Sequence, residues 1–346
     1  MFGRYIVKRI FFMFLSFVII IFLYSAIFNV VMEQTLRSQI HEMVQGEIMG
    51  MTDSTPQEIQ IYRKQRVKTL YDRYHLEDPT LQRIFWRAIG ILKLDWGQAS
   101  MLTSSNGSRD VFNIVIEKIP PTLLLFGIFA FLDVSIGVLL GMKKAQKPGS
   151  KLDQSTSIMT MVVFGMPSWW LAMIFIMVFV YTIPIFPSGG MGSVPPPEGF
   201  AAVIDTIYHM ALPILTLLCI GFWARAYMTR NIVVGTLQED FIMSARARGL
   251  PEKKVLYGHG LRAAAPPIVT MGVMSLLMSI QGRLIFEGIF NWPGMGNLYW
   301  IAVQQNDIPV LLGLLATTTF VYLAGLAFLD VIYGFLDPRI KVGGKQ

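Results

Sequence analysis

EDFIMSARARGLPEKKVLYGHGLRAAAPPIV, residues Glu239–Val269, is the stretch on which the reading of this chain turns. It is dense in charge, has a glycine at 249 and a proline pair near its end, and it joins two long apolar runs near 207–227 and 263–285. Glu239 and Asp240 stand at its start and Arg246 and Arg248 near the end of its first half, the arrangement a helix dipole favours. Phe241 and Ala245 share one face at i, i+4 spacing. Gly249 follows where a chain leaving a helix often needs a left-handed residue. Pro251 suits the first turn of a second helix, Glu252 again supplies an acid near its start, and that helix runs through Val255 and Leu256 towards Arg262. Pro266 and Pro267 then sit just inside the next apolar run, where they can kink or open its entry. The pattern predicts a helix–glycine–helix elbow joined rigidly to the runs on either side.

The composition around this elbow says what those runs are. Of 346 residues, 53% are hydrophobic and 15% charged, against roughly 45–50% and about 25% for soluble domains. The class is an all-α integral membrane protein. The net charge of +7 reads as topology information rather than nucleic-acid affinity. The single cysteine, Cys219, excludes an intrachain disulfide and is read as a small core residue.

A span takes about 20 apolar residues, and about six candidates are found. They lie near 10–31, 119–142, 155–183, 207–227, 263–285 and 309–335. The first, preceded by Arg4, Lys8 and Arg9, is read as a retained span rather than a signal peptide, because it is long and no A-x-A-like site follows. Lys and Arg then orient the chain. Arg4, Lys8 and Arg9; Lys143, Lys144, Lys147 and Lys151; Arg230, Arg246, Arg248, Lys253, Lys254 and Arg262; and Arg339, Lys341 and Lys345 all fall on one side, expected to be the cytoplasm. The opposite link 184–206 carries no Lys or Arg. Three regions result: a cytoplasmic N-terminus with the first span, 1–31; an extracytoplasmic segment, 32–117; and a transmembrane core, 118–346, whose cytoplasmic loop spans 229–262. Within the outer segment, Gln57–Tyr74 has the pattern of a short amphipathic helix, and the segment is expected to be a partly helical cap that packs on the outer loops or docks a partner.

Few charges lie in or beside the apolar runs. Asp133 and Asp330 are inside spans, and Arg283 and Glu287 lie at the outer end of the fifth. A charge at mid-bilayer costs roughly 2.5–3.5 kcal/mol on insertion scales. Asp133, Arg283 and Glu287 are therefore candidates for a translocation path or gate, with a structural pair or a snorkelling side chain as the other reading of Arg283 and Glu287. Gly137 and Gly141 form a GxxxG read as close helix packing. No P-loop, no H-E-x-x-H, no G-x-S-x-G elbow and no His or Cys at ligand spacing occurs, so no catalytic, cofactor-binding or metal site is expected. A secondary carrier would need an ion site and often internal repeats, and neither is clear.

Glu239, Ala245-Arg246-Ala247, Gly249-Leu250 and the prolines at 266 and 267 resemble the EAA loop of ABC importer permeases. The version here is similar to the dipeptide/oligopeptide (and nickel) permease group, first-permease subunit. Further matching stretches are Pro120-Pro121-Thr122, Pro167-Ser168-Trp169-Trp170-Leu171, Phe186-Pro187-Ser188-Gly189, His209 with Leu212-Pro213, and Ala224-Arg225. So are Glu287, Phe290, Trp292-Pro293-Gly294, Gly296 and the tail Asp337-Pro338-Arg339-Ile340. The outer motif departs from the group's pattern, reading Leu94-Asp95-Trp96-Gly97-Gln98-Ala99-Ser100, and proline replaces the frequent serine at 251. The resemblance implies a type I ABC importer permease fold and a chain that does no chemistry. It implies a second homologous permease, two ABC ATPase subunits carrying ATP and Mg, and an extracytoplasmic substrate-binding protein. The ATPase-coupling residues would be Glu239, Asp240, Phe241, Ala245, Arg246, Ala247, Arg248, Gly249, Leu250, Lys253 and Lys254, with Gly249 as the pivot. Arg246, Arg248, Lys253 and Lys254 are either polar contacts to the ATPase or topology charges alone. Peptide is the leading cargo; an oligosaccharide or a nickel chelate is the alternative.

Overall fold

A computed structural model describes residues 2–51, 55–280 and 282–336. The tail Asp337-Pro338-Arg339-Ile340, with Lys341 and Lys345, lies outside the described residues. Fourteen helices are described: α1 Phe2–Ile27, α2 Asn29–Met49, α3 Pro56–Arg73, α4 Thr80–Leu92, α5 Val111–Gln146, α6 Lys151–Phe164, α7 Ser168–Ile176, α8 Phe200–Thr236, α9 Asp240–Ala247, α10 Glu252–Lys254, α11 Leu261–Ile280, α12 Leu284–Ile289, α13 Met295–Gln304 and α14 Ile308–Leu336. Wider π-helical turns continue α7 over Met177–Thr182 and join α10 to α11 over Val255–Gly260. The only β pairing among the described residues is an isolated bridge, Gln98 to Asp110.

Among the described residues, five helical runs are long and apolar enough to cross a membrane: Ile6–Ile27, Val111–Gln146, Phe200–Thr236, Glu252–Met278 and Ile308–Ile332. The third expected span, near 155–183, is not one straight helix. It breaks into Lys151–Phe164 and Ser168–Thr182, bent by 94°. Gly165 and Pro167 explain the break: proline disfavours a helical residue before it and cannot donate into the ladder. The fifth span also differs from expectation. It begins at Glu252, so the second arm of the elbow is the first stretch of the span itself. Pro266 and Pro267 lie inside α11 and leave it unbroken, and the Thr270 hydroxyl donates to the Pro266 carbonyl at 2.8 Å.

The chain divides into two compact units. One is built on Lys118–Leu298 with the last helix from Ala324 on. Its first apolar core joins Leu125, Phe126 and Phe129 of α5 to Leu212 and Leu217 of α8 and to Phe286, Phe290 and Trp292. In α5, Gly137 and Gly141 sit against α8: a Cβ on Gly137 would meet Arg225 Cβ at 2.7 Å, and one on Gly141 would meet Thr229 Cβ at 2.6 Å. The GxxxG is a packing seam. Cys219 lies on the exposed face of α8, not in the core.

The other unit comprises Ile6–Glu117 and Tyr299–Leu323. α1 lies along α14, with Tyr24 Oη 3.1 Å from Thr319 Oγ1 and Phe17 edge-on to Phe320 at 5.6 Å. α3 matches the expected amphipathic segment. Pro56 opens it, and Thr55 and Glu58 close a reciprocal capping box. Its Leu70 packs with Ile40 and Val44 of α2 and with Leu76. The buried Asp307 carboxylate accepts from the backbone N–H of Met101 (2.9 Å) and Leu102 (3.2 Å), which ties the 97–110 hairpin to the start of α14.

Candidate functional site

α8 ends at Thr236, and the chain turns through 237–239 into α9. α9 is stopped by a Schellman turn: Gly249 N–H donates to Arg246 O at 2.9 Å, and Leu250 N–H reaches Ala245 O at 3.5 Å. Gly249 has φ +77°, which a side chain tolerates poorly. Pro251 follows as the cap of α10 rather than inside its first turn. Its fixed φ and missing N–H serve the extended cap position (φ −58°, ψ 137°) as well as they would the first helical position.

The underside of the elbow is apolar. Ile242 and Ala245 are buried with Val255, Leu256, Val233 and Leu237, against Met142 and Ala145 at the end of α5. This corrects the expected face: Ile242 and Ala245, at i, i+3, point inward, and Phe241 is exposed. Facing inward, Ile242 joins the apolar cluster of Val233, Leu237, Val255 and Leu256. Phe241, Met243, Arg248, Lys253 and Lys254 form the outer surface, with Glu239, Asp240 and Ala247 also exposed.

Arg246 is spent inside the elbow. Its guanidinium holds Glu252 through two hydrogen bonds (2.6 and 3.1 Å) and donates to Leu237 O at 3.4 Å. One side chain thus bridges the end of α8, α9 and α10 across the glycine. Gln146 Nε2 donates to Tyr257 Oη at 2.8 Å and ties in α5. A groove of about 650 Å³ lies alongside, bordered by Lys147, Pro148, Gln238, Arg246, Lys253 and Tyr257. Because α10 and α11 form one continuous run, a push on α9 or α10 is a push on the fifth span.

Asp133 of α5 is buried and pairs with Arg225 of α8 at 2.6 Å. Arg225 also donates to Met271 O (3.2 Å) and Ser275 Oγ (3.1 Å) on α11. One guanidinium therefore joins three spans. Sequence reading singled out Asp133 but noted Arg225 only as part of a motif; an arginine inside an apolar run was the available signal. A second network was missed altogether. Lys144, read as a topology charge, is fully buried 3.8 Å from Asp153, which also takes Arg230 at 2.8 Å.

Glu287 and Arg283 do not join Asp133 in direct contact. Glu287 belongs to a separate helix, α12, set off by Gly282 at φ +68°. Its buried carboxylate receives the N–H of Gly296 (2.9 Å) and Asn297 (3.1 Å), at the start of α13, and the Thr122 hydroxyl at 3.2 Å. A Cβ on Gly294 would come within 2.3 Å of both Glu287 Oε2 and Thr122 Oγ1, so the W-P-G-x-G loop is shaped around this acid. Despite those donors, burial pushes the Glu287 carboxyl up to about 7. Arg283 caps α12, and its guanidinium lies 5.8 Å from the Phe129 ring.

These features define a multi-pass membrane protein whose spans are linked by charge clasps and by a rigid helical elbow. A match to the family described as binding-protein-dependent transport system inner membrane component covers residues 134–342, and the chain belongs to that family. It is 29% identical to the oligopeptide transport system permease protein AppB of Bacillus subtilis (strain 168), over 78% of this chain and 83% of that one. It is 30% identical to the di/tripeptide transport system permease protein DppB of Pseudomonas aeruginosa (strain UCBPP-PA14), over 70% and 77%. It is 29% identical to the dipeptide transport system permease protein DppB of Bacillus subtilis (strain 168), over 80% and 85%.

Proposed function

We propose that this chain is a non-catalytic permease subunit of an ATP-driven importer and forms half of a translocation path for di- or oligopeptides. The observation that carries the reading is the elbow, pinned to α5 and α8 and continuous with the fifth span. A second permease completes the path. Two ATPase subunits hold ATP and Mg and receive the exposed surface of α9 and α10. A substrate-binding protein delivers cargo on the opposite side. Both termini and the elbow are cytoplasmic, as the distribution of Lys and Arg favours. ATP binding closes the ATPases and drives the elbows together, the spans open outward to accept cargo, and hydrolysis returns them inward. Peptide cargo is supported by the names of the relatives.

The test begins with a mild-detergent pull-down of the tagged chain and identification of its companions by mass spectrometry. Two P-loop ATPases, or one in double dose, together with a second permease are expected. Recovery of the folded chain alone would overturn the reading. Labelled dipeptides should then be taken up by cells holding the complex and not by cells lacking this chain. If a nickel chelate or an oligosaccharide is taken up instead, the peptide assignment falls and the importer assignment stands.

A further inference from the structure

α4 is an amphipathic helix held beside the end of a membrane span. Its Phe85 ring lies 6.0 Å from Phe22, near the end of the span Ile6–Ile27. Leu81, Phe85 and Trp86 are all large and exposed on it. Aromatic side chains at such a level belong to the polar–apolar boundary of a bilayer. Arg83 and Arg87, one turn apart on the same helix, line a cavity of about 330 Å³. Met32 and Leu36, just beyond the end of α1, and Pro309 and Leu312, in the first turns of α14, line it too. Pro309 and Leu312 stand at the start of the helical run Ile308–Ile332, so the cavity borders the end of a second candidate span. The cavity is therefore at the membrane surface.

Its charge is unbalanced. Arg73, Arg83 and Arg87 line it against one carboxylate on the wall, Asp95. Glu33, beside it, serves two arginines, Arg37 at 3.0 Å and Arg83 at 2.9 Å. The Arg83 Nε is buried without a partner. Arg87 donates to a neutral amide oxygen, Asn29 Oδ1, at 3.1 Å. Burial and the neighbouring Arg83 lower the Arg87 guanidinium to about 10, which a nearby anion would reverse. His75 lines the cavity too; stacked on Trp86 at 5.1 Å, it is already paired with Asp78. Guanidinium groups with unused donors, set in an apolar-walled pocket, are suited to a phosphate diester.

We propose that this cavity binds the phosphate of an anionic phospholipid from the adjoining leaflet, its acyl chains leaving over Leu81, Phe85 and Trp86. Arg83 and Arg87 receive the phosphate, and the apolar wall from α2 and α14 takes the glycerol. The bound lipid seats the segment 29–117 on the membrane.

The experiment uses the chain in its purified complex, stripped of lipid by mild-detergent washing. Thermal unfolding is followed with added phosphatidylglycerol, phosphatidylcholine or inorganic phosphate, and retained lipids are counted by native mass spectrometry. Phosphatidylglycerol is expected to raise the midpoint and to remain as bound lipid, because a ligand that binds the folded state stabilises it by mass action. Phosphatidylcholine should do much less, and phosphate nothing. In Arg87→Met the phosphatidylglycerol-dependent shift should be lost. An equal shift in that variant, or none in the wild type, overturns the proposal. A shift with inorganic phosphate as large as with phosphatidylglycerol replaces the lipid with a free anion and overturns the lipid assignment. If Arg87→Met does not accumulate, Met43→Trp fills the mouth of the cavity without touching either arginine and should also abolish the shift; a retained shift counts against the site.

Discussion

At the residue scale, single side chains carry most of what distinguishes this chain from a bundle of apolar helices. Gly249 closes the elbow with φ +77°. A β-branched residue there costs about 1–2 kcal/mol of local strain. Gly249→Val should insert normally yet uncouple ATP hydrolysis from uptake in reconstituted vesicles; normal uptake by this variant removes the elbow from the coupling path. Arg246 and Glu252 are both partly exposed, so their pair contributes little to global stability, about 0.2–1 kcal/mol in a double-mutant cycle. Glu252→Gln should therefore lower transport far more than it lowers the melting temperature, and matched losses in both would contradict a positioning role. Glu287 links to pH. Its folded carboxyl titrates near 7 against an ordinary value of 4.5, so the folded state holds a proton that the unfolded chain releases. Stability is full below about pH 4.5, falls as pH rises towards 7 and is level above, by about 3 kcal/mol in all. Melting curves of the complex between pH 5 and 8 should show that slope, and Glu287→Gln should flatten it.

At the element scale, the elbow is anchored on both arms. α9 is pressed onto α5 and α8 through Ile242 and Ala245, and α10 runs without interruption into α11. Arg225 adds a clasp from α8 to α5 and α11. Breaking a buried pair from one side leaves an uncompensated charge and costs about 3–5 kcal/mol. Asp133→Asn should accordingly destabilise the complex by that order. Asp133→Leu combined with Arg225→Met should recover much of the loss, as measured by thermal unfolding in detergent. If the double variant is no more stable than the single, the clasp is not an isolated pair. The hydropathy reading found the third span near 155–183 but not the 94° bend between Lys151–Phe164 and Ser168–Thr182 within it. Composition alone is blind to a helix that turns back, although Gly165 and Pro167 mark where it does.

At the scale of the whole molecule, sidedness is the testable quantity. With Cys219 replaced by serine, cysteine at Lys147 should react with a membrane-impermeant thiol reagent only from the cytoplasmic face, and cysteine at Ser193 only from outside. The reverse pattern would invert the proposed topology. Several properties were legible in the chain before any fold: its membrane class, the approximate places of its spans, the helix–glycine–helix elbow and its membership among importer permeases. All of these follow from local patterns, namely apolar run length, charge sidedness, a glycine that must be left-handed and prolines at fixed offsets. Tertiary structure alone decided the rest. It showed that Ile242 and not Phe241 faces inward, that Arg246 is spent on Glu252, that Asp133 belongs to Arg225, and that Lys144 is a buried partner of Asp153 rather than a surface charge. It also gathered Arg83, Arg87 and the start of α14 around one cavity. Each of these depends on which helix lies beside which. That is set by packing between residues as many as two hundred and more positions apart, and no window of sequence contains it.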